Sequence, residues 1–306
     1  MRNEPLLDAV VIGGSFAGLS AALQLARARR SVRILDAGRP RNRFADAAHG
    51  FFSRDGSDPR TLVATAQAQL RRYPSARLIA GEAARARAID GGFEIVAGDG
   101  AVFAARKLVL AFGVNDTLPP LPGLAERWGK SVLHCPYCHG YEFAGQRLGV
   151  LHSASFSAHQ ALLVADWGPT TLYLNGEPAP DEDTAAQLAR RGVAVEPAPI
   201  AALLGAEQSL SALRLNDDRE VGIDALFVAS RLRFNSDIAE QLGCAIDEGP
   251  IGPVIRTDDS RQTTVPGVYA AGDIARPMHN ATWAAADGVT AGASAHQALV
   301  FAPLAA

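Results

Sequence analysis

Short apolar runs ending in glycine alternate along this chain with longer stretches rich in alanine and leucine. Ala9-Val-Val-Ile-Gly-Gly14 is such a run, and it predicts a parallel strand buried on both faces. Leu19 to Arg30 is Ala/Leu-rich and closes on Arg27, Arg29 and Arg30, cations suited to a helix C-terminus. Ser31 to Leu35 is a second apolar strand, stopped by Asp36-Ala37-Gly38, so the three segments predict a β-α-β unit. Further on, Thr61 to Arg72 reads as a helix. Phe93-Glu-Ile-Val96 and Ala101-Val-Phe103 read as a hairpin around Gly98-Asp-Gly100, and Lys107 to Phe112 as another strand. The proline-rich Leu118-Pro-Pro-Leu-Pro-Gly123 is a natural domain crossing. A second αβ segment runs from about Arg147 to Val228, and the chain leaves it near Arg233-Phe-Asn235. A small-residue helix is expected from Ala281 to about Val300. The resulting fold class is α/β with two domains: a discontinuous one of residues 1–117 and 234–306, and one of residues 118–233 inserted into it.

Composition narrows the function. Of 306 residues, 48% are hydrophobic and 20% charged, a globular balance that excludes a mostly disordered chain. The net charge of −3 presents no basic face, so no nucleic-acid partner is expected. Three cysteines are too few, and odd in number, for a secreted disulfide framework. Ala9 to Ala26 carries no charge and reaches the lower limit for a membrane span, yet Gly13, Gly14, Gly18, Ser15, Ser20 and Gln24 suit a strand–turn–helix better. The first residues show no cationic run followed by an apolar core. The expectation is a cytoplasmic protein with no membrane partner.

Two motifs carry chemistry. Gly13-Gly14-Ser15-Phe16-Ala17-Gly18 sits between the first strand and helix, and Asp36 follows the next strand. Gly13 permits the tight turn and Gly18 lets helix and strand pack closely. The helix N-terminus supports a pyrophosphate, and an acid placed like Asp36 hydrogen-bonds a ribose hydroxyl. Ser15 replaces the middle glycine of the fingerprint; its small hydroxyl can itself reach a phosphate. The second motif is Cys135-Pro136-Tyr137-Cys138-His139. C-x-x-C spacing suits a reversible redox disulfide. The same string also fits haem attachment, which needs an oxidising compartment, and zinc, which needs four ligands. A buried structural pair is a further reading. The redox pair is favoured, with no metal expected, and Cys244 stands alone as a small buried hydrophobe.

A third motif, Thr264-Val-Pro-Gly-Val-Tyr-Ala-Ala-Gly-Asp273, completes a resemblance. Over nearly its whole length the chain resembles the thioredoxin reductase-like, FAD-dependent pyridine nucleotide–disulfide oxidoreductases. Cys135-Pro-Tyr-Cys-His-Gly-Tyr-Glu142 is similar to the C-P-x-C-H-G-Y-E of their dithiol-oxidase relatives. The resemblance implies a glutathione-reductase-like fold, FAD as cofactor and a homodimer. It implies an FAD site at Gly13, Gly14, Ser15, Phe16, Ala17, Gly18, Asp36, Ala37, Arg41, Asn42, His49, Gly50, Gly113, Gly272, Asp273, Asn280 and Ala281. It makes Cys138 the thiolate facing the flavin and Cys135 the one that exchanges with substrate. His139 takes the place of a family acid, and a group that titrates near neutrality suits proton transfer; its plainer reading is a helix-surface residue. No chemical role is read for Tyr141 or Glu142.

The resemblance breaks in the inserted domain. Such reductases carry a second glycine fingerprint there, then paired arginines that grip the NADPH 2′-phosphate. Here Leu148-Gly-Val-Leu151 leads into His152-Ser-Ala-Ser-Phe-Ser157, and Thr171-Leu-Tyr-Leu174 into Asn175-Gly-Glu177. Each lost charge-assisted bond is worth about 1.5–3 kcal/mol, so losing two weakens NADPH binding on the order of a hundredfold or more. The expectation is an FAD-dependent thiol–disulfide oxidoreductase working through Cys135–Cys138 without a working NADPH site. It would be a dithiol oxidase or use another donor such as a ferredoxin, on a small dithiol or a thioredoxin-like protein. The alternatives are an NADPH-dependent thioredoxin reductase with an unusual pocket and a non-catalytic flavoprotein redox sensor.

Overall fold

The computed structural model describes residues 6–301 and forms two compact units. Residues 6–43, 58–115 and 232–301 make the first; residues 44–57 and 116–231 make the second. The sequence reading put residues 44–57 with the first unit, but they pack with the second. Phe44 lies against Gly129, where an added Cβ would stand 2.6 Å from the Phe44 Cβ. Lys130 Nζ pairs with Asp46, and the Ala48 N–H donates to the Ser57 carbonyl at 2.8 Å, closing the excursion on itself. No local periodicity in this loop announces those partners.

In the first unit, Leu7–Ile12 lies between Val32–Asp36 and Val102–Leu110, all parallel, with Val10 opposite Arg33 and Leu108. Ala9, Val10 and Val11 are fully buried, as an unbroken apolar run requires. Ala76–Ala80 extends the sheet beyond Val32–Asp36. Val102–Leu110 is one continuous strand, not the two that the sequence suggested. Its first half pairs antiparallel with Gly92–Ala97, and its last residues pair parallel with Val268–Ala270. The hairpin continues into Ala83–Ile89, where the buried Ala86 sits between exposed Arg85 and Arg87. This strand has no counterpart among the expected elements.

The helix Phe16–Arg27 stops earlier than Arg30 because Arg29 turns left-handed (φ +61). The Arg30 N–H reaches back to the Leu25 carbonyl and the Arg29 N–H to that of Ala26, a Schellman closure. This helix packs on Ala281–Phe301 through small residues. A Cβ at Gly288 would come within 2.8 Å of the Ala17 carbonyl carbon. Close contact between two backbones explains why the last helix is so poor in large side chains. Among the described residues no helix is long and apolar enough to cross a membrane.

The second unit holds a five-stranded parallel sheet in the order Ala194–Glu196, Thr170–Tyr173, Leu148–Leu151, Ala225–Val228, Val132–Leu133. Helices Ser157–Val164 and Glu182–Arg190 are its crossovers. An antiparallel sheet of Ile200–Leu204, Ala212–Leu215 and Glu220–Gly222 joins it, three strands the sequence reading passed over. The buried Arg127 donates to the carbonyls of Gly123 (2.8 Å) and Gly205 (2.7 Å), tying the proline-rich crossing to that sheet.

Candidate redox site and dinucleotide cradle

The redox pair follows the edge strand Val132–Leu133. Pro136–His139 is a single helical turn with proline at its start, and Cys135, which precedes it, is disulfide-bonded to Cys138 within it, their Cα atoms 5.3 Å apart. The turn is held from behind. Buried Gln160 donates its Nε2–H to the His134 carbonyl at 2.8 Å, fixing the residue before Cys135. A Cβ at Gly140 would meet the Pro136 carbonyl and the Trp167 ring, each at 2.7 Å, so only glycine lets the chain leave there. Tyr137 stands edge-on to Trp167 at 5.9 Å yet is 72% exposed, whereas Trp128 is core.

His139 is half-buried beside Cys138. Burial is the largest influence on it and pushes its pKa below the usual imidazole value; Glu142 pulls upward and His49 downward. It is therefore neutral near pH 7, with a ring nitrogen ready to take a proton. The His49 ring lies perpendicular to it at 6.3 Å, and His49 Nε2 is 3.3 Å from Glu142 Oε1. His49 and Gly50, expected at the cofactor, thus belong to the unit that carries the disulfide. Gly50 adopts φ +69 and donates its N–H to Asp55 Oδ1 at 2.8 Å. Glu142, for which the sequence suggested no role, stands beside the redox turn, a carboxylate four residues after Cys138. Cys244 lies buried in the first unit, and burial pushes its thiol pKa up, leaving it unreactive.

The glycine fingerprint folds as its residues require. A Cβ on Gly13 (φ +110) would overlap the Ala111 carbonyl, and one on Gly18 would overlap the Gly13 carbonyl. A Cβ on Gly14 would stand 2.6 Å from the Asp36 side chain, whose Oδ1 accepts from the Gly14 N–H (3.3 Å) and the Gly38 N–H (3.1 Å) across Ala37. Ser15 caps Phe16–Arg27 through its backbone, with no side-chain bond. Gly272 (φ +80) meets the start of that helix, a Cβ there lying 3.0 Å from the Ala17 Cβ. Gly13, Gly14 and Gly18 thus leave no room for side chains in the tight turn that opens the helix Phe16–Arg27, with Asp36 and Gly272 beside it, an arrangement that fits a dinucleotide.

Asp273 and Arg41 meet in the same unit at 3.4 Å, although 232 residues apart in sequence. The Arg41 guanidinium also donates to His279 Nδ1 at 2.7 Å, while His279 Nε2–H donates to the Arg276 carbonyl at 3.1 Å. This pairing assigns the neutral Nε2–H tautomer. Asn280 Oδ1 accepts the Thr282 N–H at 2.7 Å, so one end of the expected flavin-binding amide is committed to capping the last helix at Ala281. Asn42 lies in the single turn Arg41–Phe44, and Gly113 (φ +69) follows the strand Val102–Leu110. His279 and Asp287 join this cluster although neither is among the expected site residues. Asp287 is 2% exposed and bonds Arg276 (2.7 and 2.8 Å) and Arg261 (2.8 Å). An acid in the run Ala284-Ala-Ala-Asp-Gly288 was the signal.

The turn after Leu148–Leu151 is closed by its own side chains. Ser157, with no exposed surface, accepts the Ser153 N–H at 3.2 Å and the Ala154 N–H at 3.1 Å on its Oγ. Ser153 Oγ–H donates to the Ala229 carbonyl at 3.0 Å. After Thr170–Tyr173, the left-handed Asn175 and Gly176 lead to exposed Glu177, and Asn175 Oδ1 accepts the Ile200 N–H at 2.8 Å.

The family described as pyridine nucleotide-disulphide oxidoreductase matches residues 7–164 and 171–288. Thioredoxin reductase tcpT of Claviceps purpurea is 35% identical over 98% of this chain and 96% of its own length. Thioredoxin reductase sirT of Leptosphaeria maculans is 33% identical over 94% and 92%. The crystal structure of an oxidoreductase from Agrobacterium tumefaciens, 44% identical, aligns with a TM-score of 0.93, covering 97% of this chain and 100% of that one.

Proposed function

This chain belongs to the pyridine nucleotide–disulphide oxidoreductases and is an FAD-dependent disulfide oxidoreductase, and from that premise we propose that it runs as a dithiol oxidase. It takes electrons from a dithiol substrate through Cys135–Cys138 and passes them to oxygen, without drawing on NADPH. The observation that carries this reading is the self-closed turn at residues 152–157. In a nucleotide-binding crossover, backbone N–H groups there receive a pyrophosphate. Here Ser157 Oγ takes the Ser153 and Ala154 N–H groups, and Glu177, where a 2′-phosphate would sit, would repel it.

FAD would be held by Gly13 to Gly18, Asp36, Gly272 and the Arg41–Asp273 pair, and when bound it supplies a two-electron acceptor that oxygen can regenerate. The protein's own residues handle the thiols. One substrate thiol loses its proton to neutral His139, and the resulting thiolate attacks Cys135 Sγ, breaking the disulfide and releasing Cys138 as a thiolate. The second substrate thiol then attacks the substrate sulfur of the mixed disulfide. Substrate leaves as a disulfide, Cys135 leaves with a proton, and the cysteine pair has gained two electrons. Cys138→Ser should abolish anaerobic bleaching of the flavin by dithiothreitol; bleaching at the wild-type rate would overturn the relay. A second reading, an NADPH-dependent thioredoxin reductase, is favoured by the names of the fungal relatives. It requires NADPH to reduce the flavin.

A further inference from the structure

Two groups near the disulfide, His49 and Glu142, have no part in the chemistry above. His49 comes from the excursion 44–57, which is fastened into the second unit by the Lys130–Asp46 pair and the Phe44–Gly129 contact. That fastening brings a residue almost ninety positions upstream to the Cys135–Cys138 turn, onto the same carboxylate that acts on His139. Glu142 lies on the turn Tyr141–Phe143, with Oε1 3.3 Å from His49 Nε2. On the other side, His49 Nδ1 is 3.6 Å from Asp55 Oδ1, which also accepts the Gly50 N–H. The His49 ring stands edge-on to His139 with centroids 6.3 Å apart. A histidine with a carboxylate near each nitrogen is fixed in its ring orientation.

We infer that His49 and Glu142 are positioning residues of the thiol-exchange site, forming with His139 a His49–Glu142–His139 array that sets how readily His139 takes and returns the substrate proton. The array lets one proton reside at the site while the disulfide is open. Deprotonation of the first substrate thiol puts that proton on His139, Cys138 departs as a thiolate, and the second thiol's proton leaves with Cys135. Charge is thus conserved within the turn, with no further donor or acceptor. The inference rests on the exchange half of the proposed function and not on which acceptor follows it.

The groups facing His139 act on it in opposite senses. The Glu142 carboxylate favours its cation and His49 opposes it. Removing each should therefore displace the pH profile of exchange in opposite directions. The experiment uses the FAD-loaded protein without oxygen. It is mixed with dithiothreitol between pH 5 and 9, quenched in acid, and Cys135 and Cys138 are tagged by alkylation and weighed. Glu142→Gln should move the acidic limb of the rate profile to lower pH and His49→Asn to higher pH. Each should slow the plateau by about tenfold, less than the hundredfold or more of a directly acting acid–base group. Glu142→Asp should recover most of the wild-type profile. An unchanged flavin spectrum and melting temperature in each variant verify folding. Profiles that superimpose on wild type, or that shift in the same direction, would overturn the array. A wild-type disulfide that dithiothreitol does not open, or flavin bleaching of Cys138→Ser by dithiothreitol at the wild-type rate, would instead overturn the exchange reading itself.

Discussion

Ser157→Ala tests whether the turn at residues 152–157 is held closed by one hydroxyl. Ser157 Oγ accepts two backbone N–H groups at 3.2 and 3.1 Å, and the residue has no exposed surface. Alanine fills almost the same space, so the cavity term is small and the loss is that of the acceptor. Both bonds are at the long end of the normal range. Each donor left without a partner costs about 1 kcal/mol, the lower limit for a buried polar group. The variant should lose about 2 kcal/mol, which for a unit of this size lowers Tm by about 6–10 °C. Urea unfolding followed by far-UV circular dichroism gives the free energy, and m should not change, because the exposed surface is the same. A loss below about 0.5 kcal/mol, within the range of an ordinary surface substitution, would refute the reasoning. The Ser153 and Ala154 N–H groups would then be available to a phosphate. The variant should also bind NADPH no better than wild type, because Glu177 remains.

Two further outcomes follow from the same physics. Asp287→Ala removes a carboxylate that is 2% exposed and shared by Arg261 and Arg276, and should cost about 3 kcal/mol, the low end for breaking a buried pair because both arginines reach solvent; a loss under about 1 kcal/mol in chemical denaturation would deny it a structural role. His139 has its pKa lowered by burial, so its unfolded form binds a proton more readily than its folded form. Its contribution is present above the unfolded value near 6.5 and is lost as pH falls through the folded one. Stability of wild type relative to His139→Asn should therefore decline from pH 7 to pH 5, and parallel stability curves would contradict this.

Local rules made much of the first unit legible. The run Ala9 to Gly14, the turn at Gly13 and the acid at Asp36 each depend on contacts a few residues away or on one parallel neighbour, and strand, helix and strand formed as their patterns required. Boundaries failed where a left-handed backbone turn or a tertiary partner decided them. Arg29 ends its helix by turning left-handed, and residues 102–110 stay one strand because Leu7–Ile12 pairs along residues 105–110. In the redox turn the C-x-x-C spacing pointed to the pair that forms the disulfide, and the expectation for His139 came from the family resemblance. The meeting of His49 and Glu142 was not legible, because it depends on where the excursion 44–57 packs, and the excursion's fastening through Phe44 and Asp46 leaves no periodic trace. His279 escaped notice for the same reason, its partner Arg41 being 238 residues away.

The most direct test of the central claim is an anaerobic titration of the FAD-bound protein, followed by the flavin absorbance, with NADPH in one cuvette and dithiothreitol in another. Bleaching by the dithiol alone, reversed on admitting air, is the expected result. Bleaching by micromolar NADPH would contradict the account and make the protein an NADPH-dependent reductase.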